Sequence, residues 1–376
     1  MSTVLELFPE TYEASRQRFR DNLGRIQARW PGASLSQKTH HEAEDLTTDW
    51  ISARPLGQPE KIFILTTAEH GIEGYVGSAM LQRFIEHFLP ALDPHTTGLL
   101  LVHAINPWGM KYHRRVNANN VDLNRSFLYG SEFDPAFNPE YEEVEALLNP
   151  KTRIPFLPFS RLASWLNLAV QASRLGLRKY TLASLLGQYR HPRGLYYGGP
   201  GYQPETETMM ALYRQAFQDY GQILHLDMHT GYGPRYQMSL VNSALEMRSS
   251  QEFAEQFDYP LVVAATPDEF YAIQGDMIDH VYALAQNEFP EKRFFATAFE
   301  FGTFGLTAGG LLRSRRAMIY ENRLHWYGSV RQVDRETIQA EFEELFNPQA
   351  LDWKEKAIAD ADQAFAGILK AEGYLA

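Results

Sequence analysis

A histidine and a glutamate stand three positions apart where an apolar run of the chain ends. The run Lys61-Ile-Phe-Ile-Leu-Thr-Thr67 is followed at once by a polar turn that carries His70 and Glu73. An imidazole and a carboxylate at this spacing on a turn can converge on one metal ion. We interpret this His-x-x-Glu pair as the first half of a zinc site.

A third ligand candidate lies far downstream and has the same local setting. The segment Ile223-Leu-His-Leu-Asp-Met-His-Thr-Gly231 is again an apolar strand followed by a histidine, His229, and a glycine. Catalytic zinc often takes two histidines and one carboxylate and leaves a fourth position for water. His70, Glu73 and His229 supply that set and predict one Zn²⁺ ion. The chain has no cysteine, which excludes thiolate ligands and disulfides.

The segments around these residues predict a parallel sheet that would position them. The run before His70 is short, apolar and closed by glycines, as in a buried strand. The helical pattern of residues 75–90 and a second apolar strand, Thr97–Asn106, complete a βαβ unit. Ligands bind at the carboxyl ends of strands in such sheets. We therefore predict an α/β fold with a mixed, mostly parallel twisted sheet and helices on both faces.

A glutamate inside an apolar segment is the candidate general base. Glu300 lies between Phe299 and Phe301, with Phe304 close behind in the sequence. Zinc lowers the pKa of a bound water to about 7, and a base must then take the proton and pass it to the leaving amine. Apolar surroundings raise the pKa of a carboxylate toward the useful range. We predict this role for Glu300.

The polar loop Arg114–Phe127 is the candidate anion-binding segment. It displays guanidinium and amide groups, which suit a carboxylate or an oxyanion. We assign Arg115 to the oxyanion of the transition state, and Asn124 and Arg125 to a substrate carboxylate. Asp122 is expected to accept the free N–H of a zinc-bound histidine and so hold its tautomer.

Composition narrows the class of protein and of partner. The chain has 376 residues, 44% of them hydrophobic, and a net charge of −11. That charge argues against nucleic acid or an anionic membrane as the main partner. The N-terminus lacks a basic start and an apolar signal core, and no apolar run approaches the roughly 20 residues of a membrane helix. We expect a cytoplasmic protein with a small-molecule partner, and the oligomeric state stays open.

One catalytic domain is expected over residues 1–376. Its parts are a core at about 45–325, a helical insertion at about 130–205 and C-terminal helices at 326–376. The insertion is inferred from a Pro- and Asn-rich stretch at 135–158 and a helical period at 159–190. His40, His41 and Glu42 have no apolar strand beside them and are predicted to form a solvated turn.

The motifs resemble, in their order, those of the zinc carboxypeptidases of the carboxypeptidase A type, the funnelins. The residues that carry the resemblance are His70-Gly-Ile-Glu73, Arg115, Val121-Asp-Leu-Asn-Arg-Ser-Phe127, Asp227-Met-His-Thr-Gly231 and Phe299-Glu-Phe-Gly302. They cover roughly residues 60–310. Two further segments, Gly194–Gly199 and Asn106–Met110, look most like an uncharacterised bacterial branch of that family.

The resemblance implies a role for each matching residue. It places zinc on His70, Glu73 and His229 and the general base on Glu300. It also implies Arg115 for the oxyanion, and Asn124 and Arg125 for the substrate's terminal carboxylate. The interval from Asn124 to His229 is longer than in digestive members, which fits the predicted insertion. No tyrosine aligns with the one that caps substrate in those members; Tyr271 and Tyr282 are the candidates.

Together these features predict a zinc-dependent hydrolase that cleaves an amide bond next to a free carboxylate. The first candidate is a metallocarboxypeptidase acting on short peptides. A deacylase of N-acyl amino acids, similar to aspartoacylase and succinylglutamate desuccinylase, would use the same zinc chemistry. A flap at 130–205 that closes the site would favour small substrates. A non-catalytic protein that holds a carboxylate-ended ligand is the alternative outside enzymes.

Overall fold

The apolar runs form the centre of one mixed sheet. A computed structural model describes residues 3–162, 176, 183–266 and 273–375. Its strands are β1 (Ser34–His41), β2 (Leu46–Ala53), β3 (Lys61–Thr67), β4 (Thr97–His103), β5 (Gln222–Gly231), β6 (Met238–Asn242), β7 (Val262–Ala264) and β8 (Arg293–Gly302). They lie in the order β1-β2-β4-β3-β5-β8-β6-β7. Among the described strands, four of the seven neighbouring pairs are parallel, which confirms the predicted mixed, mostly parallel sheet.

Helices cover both faces of this sheet. Those in the described residues are α1 (Val4–Leu7), α2 (Tyr12–Gln27), α3 (Gly74–His87), α4 (Pro107–Lys111), α5 (Tyr141–Leu148), α6 (Pro204–Asp219), α7 (Ser250–Phe257), α8 (Met277–Glu288), α9 (Ala308–Tyr327), α10 (Gln332–Phe346) and α11 (Leu351–Ala371). In the part of the chain that the structure describes, no helix combines the length and apolar character needed to cross a membrane.

The packing of β3 explains why its sequence is apolar throughout. Phe63 and Leu65 pack into a core that includes side chains of α3, α7 and α11. Ile62 and Ile64 point to the other face and pack with α6 and α8. Successive side chains of a strand alternate between faces, so a strand covered on both sides reads as a continuous apolar run.

The edge strand β1 corrects one sequence prediction. His40 and His41, predicted to lie in a solvated turn, are the last residues of β1, which pairs antiparallel with β2. Glu42 begins the short 3-10 turn that follows. The strand was missed because it lies at the sheet edge and its sequence, SLSQKTHH, carries few apolar side chains.

The predicted insertion is described only in part. Helix α5 and the segment 183–203 lie within it. Most of the predicted helical stretch 159–190, namely 163–175 and 177–182, lies outside the described residues. The domain organisation therefore stays a prediction.

Candidate metal centre

Three neighbouring parallel strands bring the predicted site residues to one edge of the sheet. β3 lies next to β5, and β5 lies next to β8. His70 follows β3 after a turn in which Ala68 adopts a positive φ of 60°. Glu73 closes the 3-10 turn that comes next, and His229 and Glu300 lie near the ends of β5 and β8. The carboxyl ends of parallel strands meet, which explains how residues so distant in sequence converge.

His70, Glu73 and His229 present their ligand atoms to one point. The Nδ1 atoms of the two histidines are 3.2 Å apart. Glu73 Oε1 lies 2.9 Å from Nδ1 of His70, and its Oε2 lies 3.1 Å from Nδ1 of His229. All three residues are at least 95% buried. Zinc binds nitrogen and carboxylate oxygen at about 2.0–2.2 Å in a tetrahedral arrangement, so ligand atoms about 3 Å apart fit one ion.

Backbone and charge hold Glu73 in its ionised form. The amide of Thr230 donates to Glu73 Oε2 at 3.0 Å. Burial raises the pKa of Glu73, but the two histidines and their hydrogen bonds outweigh burial and lower the pKa below the usual range. An ionised carboxylate is the form that binds a metal.

Asp122 and Arg115 adjoin His70 and Glu73. Asp122 Oδ1 lies 3.2 Å from His70 Nε2, across the ring from the Nδ1 atom that faces His229 and Glu73. Arg115 donates from Nε to Asp122 Oδ2 at 3.0 Å and from Nη1 to Glu73 Oε1 at 3.3 Å. Burial raises the pKa of Asp122, but Arg115 and Arg125 outweigh it and lower the pKa well below its usual value. Asp122 is thus an ionised acceptor for the His70 ring.

Glu300 stands beside the ligand set. It pairs in register with His229 across β5 and β8, so both side chains lie on the same face of the sheet. The amide of Tyr232 donates to Glu300 Oε1 at 2.9 Å. Burial, and next the negative charge of Glu73, raise the pKa of Glu300 to about 7.

The expectation that Phe299 and Phe301 surround Glu300 with apolar side chains is wrong. Phe299 and Phe301 belong to the core on the opposite face of the sheet, because neighbours in a strand point to opposite sides. The apolar environment invoked from the sequence is therefore not the cause of the raised pKa. The causes are the burial of the carboxylate and, second, the negative charge of Glu73.

Glu69 is a carboxylate that sequence reasoning missed. Glu69, His70 and His229 also offer three ligand atoms within 4.8 Å of one another. Glu69 Oε2, however, lies 3.4 Å from Nε2 of His229, across the ring from Nδ1. An ion held by both Nδ1 atoms would have Glu73 as its carboxylate ligand, because Glu69 lies on the other side of the His229 ring. The only sequence signal was an acidic residue directly before His70 at the end of a buried strand.

A protein-family model covers most of the chain. The model of a family described as a protein of unknown function, DUF2817, matches residues 8–360. The chain belongs to the DUF2817 family. No curated protein matches it.

Solved structures similar to this DUF2817 protein include carboxypeptidases. Bovine thrombin-activatable fibrinolysis inhibitor in complex with tick carboxypeptidase inhibitor is 12% identical, with 82% of this chain and 94% of that chain covered and a TM-score of 0.46. Carboxypeptidase A from Helicoverpa armigera is 11% identical, with 87% and 73% covered and a TM-score of 0.46. A succinylglutamate desuccinylase from a Silicibacter species is 12% identical, with 78% and 67% covered and a TM-score of 0.38. The sequence resemblance predicted likeness to this group of structures.

Asn124 and Arg125 of the DUF2817 protein are bound to backbone groups. Asn124 Oδ1 accepts from the amide of Met277 at 2.9 Å. Arg125 donates from Nη1 to the carbonyl of Asn124 and from Nη2 to that of Leu185, each at 2.8 Å. Arg125 is 1% exposed, and its Cδ packs so closely on Gly187 that a Cβ there would lie 2.7 Å away. Within the described residues, its Nε has no hydrogen-bond partner.

The structure does not place either candidate tyrosine for a substrate cap next to His70, Glu73 and His229. Tyr282 is buried and donates its hydroxyl to Glu246 at 2.9 Å. Tyr271 lies outside the described residues. The identity of a capping residue stays open.

Negative charge dominates the surroundings of the two histidines. The buried carboxylates there outnumber the guanidiniums of the described residues. They are Glu69, Glu73, Asp122 and Asp227, against Arg115 and Arg125. Burying unbalanced charge is costly, and a divalent cation offsets that cost. The donor atoms and the charge balance therefore both fit a zinc ion.

Proposed function

We propose that this DUF2817 protein is a zinc-dependent hydrolase that cleaves an amide bond next to a free carboxylate. The observation that carries the proposal is the convergence of His70 Nδ1, His229 Nδ1 and the Glu73 carboxylate within 3.2 Å, with Glu300 beside them. A zinc ion held by these three residues would supply a Lewis acid and an activated water.

Glu300 is the proposed general base. Its Oε1 accepts from the amide of Tyr232, which fixes the carboxylate and leaves Oε2 to take a proton from the attacking water. A base works best when its pKa lies near the working pH, and the pKa of Glu300 is raised to about 7. Glu300 then returns the proton to the leaving nitrogen.

Arg115 is the proposed stabiliser of negative charge on the reacting carbonyl oxygen. Asp122 and Glu73 hold its guanidinium at the edge of the ligand set. The side chain is 11% exposed, so the guanidinium is more accessible than the ligands themselves. A fixed cation at the place where an oxyanion develops lowers the barrier of acyl transfer.

Asn124 and Arg125 are the residues that we propose bind the substrate's free carboxylate. The bond from Arg125 Nη2 to the Leu185 carbonyl must open before this guanidinium can bind a carboxylate in a bidentate manner. The enclosure of Arg125 beneath Leu185 and Gly187 favours a small substrate. This observation keeps the N-acyl amino acid deacylase as the second candidate beside the metallocarboxypeptidase on short peptides.

A substrate screen on the zinc-loaded protein separates these candidates. Di- and tripeptides are compared with N-acyl amino acids, with a chelator-treated sample as the control. Peptide cleavage supports a carboxypeptidase, and release of the acyl group supports a deacylase. Tight binding of these compounds without cleavage would instead support a non-catalytic binding protein.

The variant Glu300→Gln tests the mechanism. We expect turnover to fall about 10²- to 10⁴-fold, because the amide cannot take the proton. Zinc content should stay unchanged, since Glu300 is not among the proposed ligands. Unchanged turnover at unchanged zinc content would rule out Glu300 as the base.

A further inference from the structure

Two buried carboxylates face the side of the His229 ring that points away from the metal site. Asp227 Oδ2 lies 2.6 Å from Nε2 of His229, and Glu69 Oε2 lies 3.4 Å from the same nitrogen. Both acidic residues have no exposed surface. In the described residues, neither oxygen of Glu69 makes a well-oriented hydrogen bond. Glu69 is therefore a desolvated carboxylate that the protein's own donors do not compensate.

Asp227 and His229 Nε2 are too close together to hold a second cation between them. Two ligands that share one zinc ion, each about 2.0–2.2 Å from it, stand more than 3 Å apart in a tetrahedral site. Asp227 Oδ2 lies 2.6 Å from His229 Nε2, which is an ion-pair distance, although in the described residues this oxygen, like those of Glu69, makes no well-oriented hydrogen bond. A carboxylate oxygen this close to a ring nitrogen favours a proton on that nitrogen, which leaves Nδ1 as the atom available to a metal.

Asp227 is itself held in place by a neighbouring strand. Thr66 of β3 pairs with Asp227 of β5 in the sheet register, and its hydroxyl donates to Asp227 Oδ1 at 2.5 Å. The same hydroxyl lies 2.8 Å from Nε2 of His225. The carboxylate that binds His229 therefore has little freedom to rotate.

Glu69 is held in place by the backbone around it. Glu69 stands between Ala68, which has a positive φ, and the metal-site residue His70. The carbonyl of Ala68 accepts from the amide of Asn106 at 2.9 Å, which ties this turn to the end of β4. An uncompensated buried carboxylate costs stability, and a nearby divalent cation offsets that cost.

We propose that Glu69 and Asp227 are positioning residues for His229: Asp227 holds the proton on Nε2, and Glu69 adds the negative charge that strengthens metal binding at Nδ1. The inference rests on the proposed zinc site, and it assigns to these two residues a role outside the ligand set. It predicts an unusual signature for Glu69. Removing its charge stabilises the metal-free protein and weakens metal binding.

The test compares zinc affinity and metal-free stability in matched variants. Zn²⁺ dissociation constants are measured by competition with a chromophoric chelator for the full chain and for Glu69→Gln and Asp227→Asn. Glu205→Gln is the matched control, because Glu205 is also a buried glutamate but contacts Asn117 rather than a histidine. Melting temperatures of the metal-free proteins are measured at about pH 8, where carboxylates are predominantly ionised.

We expect Asp227→Asn to weaken zinc binding about 10- to 100-fold and Glu69→Gln about 10-fold, as is typical for groups that orient metal ligands. Glu69→Gln should raise the metal-free melting temperature, whereas Glu205→Gln should leave zinc affinity unchanged. The absorption spectrum of bound Co²⁺ should shift in Asp227→Asn, because the orientation of His229 changes.

Two results overturn the inference in distinguishable ways. Wild-type zinc affinity in Glu69→Gln, together with a lowered melting temperature, would make Glu69 an ordinary structural residue and leave the proposed function intact. Failure of the unaltered protein to bind zinc would overturn the inference and the proposed function together. If Asp227→Asn does not fold, the Glu69→Gln comparison alone decides.

Discussion

Two buried charged clusters lie on opposite sides of β4 and differ in how their charges are paired. The metal cluster consists of His70, Glu73, Asp122 and His229. The arginine cluster consists of Arg16 and Arg20 on α2 and Asp49 on β2. Asp49 is fully buried, and its Oδ2 accepts from Arg20 Nε at 2.6 Å and lies 3.4 Å from Arg16 Nε. Its Oδ1 accepts from the Thr47 hydroxyl at 2.5 Å.

The difference lies in whether the protein compensates its own buried charge. In the arginine cluster, each Asp49 oxygen has donors, and two guanidiniums face the carboxylate. Around the metal cluster, carboxylates exceed guanidiniums, and the Glu69 oxygens lack well-oriented donors in the described chain. A compensated cluster contributes to stability, whereas an uncompensated one is costly until a cation binds. This contrast predicts that substitutions in the two clusters affect different measurements.

The largest effect on stability is expected from Asp49→Ala. Two guanidiniums would lose their buried partner, so we expect the free energy of unfolding to fall by about 3 kcal/mol in urea titrations. Zinc affinity should not change. Asp21→Ala on the exposed side of α2 is the control and should change stability by less than about 0.5 kcal/mol. Loss of zinc binding in Asp49→Ala would erase the distinction between the clusters.

Asp122→Asn should differ from Asp49→Ala by weakening zinc binding. The amide no longer offers a charged acceptor to His70 Nε2, so zinc should bind about 10- to 100-fold more weakly in a chelator competition. The metal-free protein should also lose stability, because Arg115 loses a buried charged partner and the lowered pKa of Asp122 marks its ionised form as stabilising. Asp134→Asn, an exposed aspartate in the following loop, is the control. Zinc affinity equal to that of the wild type would contradict the role of Asp122.

His103, which lies on β4 near the arginine cluster, is expected to make a smaller, pH-dependent contribution to the free energy of unfolding. Burial lowers the pKa of His103 from 6.5 to about 4, and its Nε2 lies 2.7 Å from the hydroxyl of Ser15. Between these pKa values the unfolded chain binds more protons than the folded one, so stability falls as the pH falls. From pH 6.5 to about pH 5 the contribution lost is roughly 1.5 kcal/mol.

The check is urea unfolding of the metal-free wild type and of His103→Gln across this pH range. The variant should lose less stability on acidification than the wild type, by about the stated amount. If the unfolding free energies of the two proteins change with pH in parallel, His103 does not titrate in this way.

The sheet centre was predictable because burial on both faces leaves a strong sequence signal. β3, β4, β5 and β8 are apolar runs that end in polar turns, and this pattern located His70, His229 and Glu300 at one edge. The edge strand β1 was not predictable from hydrophobicity, since its side chains are half-buried or exposed.

The contacts around the site depend on the directions in which side chains point, and the spacing of residues in the sequence does not give those directions. Glu69 was missed because an acidic residue beside a histidine usually marks a solvated turn, and the turn at Ala68 buries it here. The environment of Glu300 was misjudged because sequence neighbours were treated as spatial neighbours, although alternation along β8 sends Phe299 and Phe301 to the other face. The roles of Asn124 and Arg125 stay predictions, since their recorded hydrogen bonds are to backbone groups.

Zinc stoichiometry is the most direct test of the central claim that three distant side chains bind one divalent cation. The protein is stripped with a chelator, dialysed against Zn²⁺, and its metal content is measured for the wild type, His70→Ala, His229→Ala and the control His40→Ala. We predict one tightly bound zinc per chain in the wild type and in His40→Ala, and none in the other two variants. A wild-type protein without tightly bound zinc, or full zinc retention in both His70→Ala and His229→Ala, would contradict the claim.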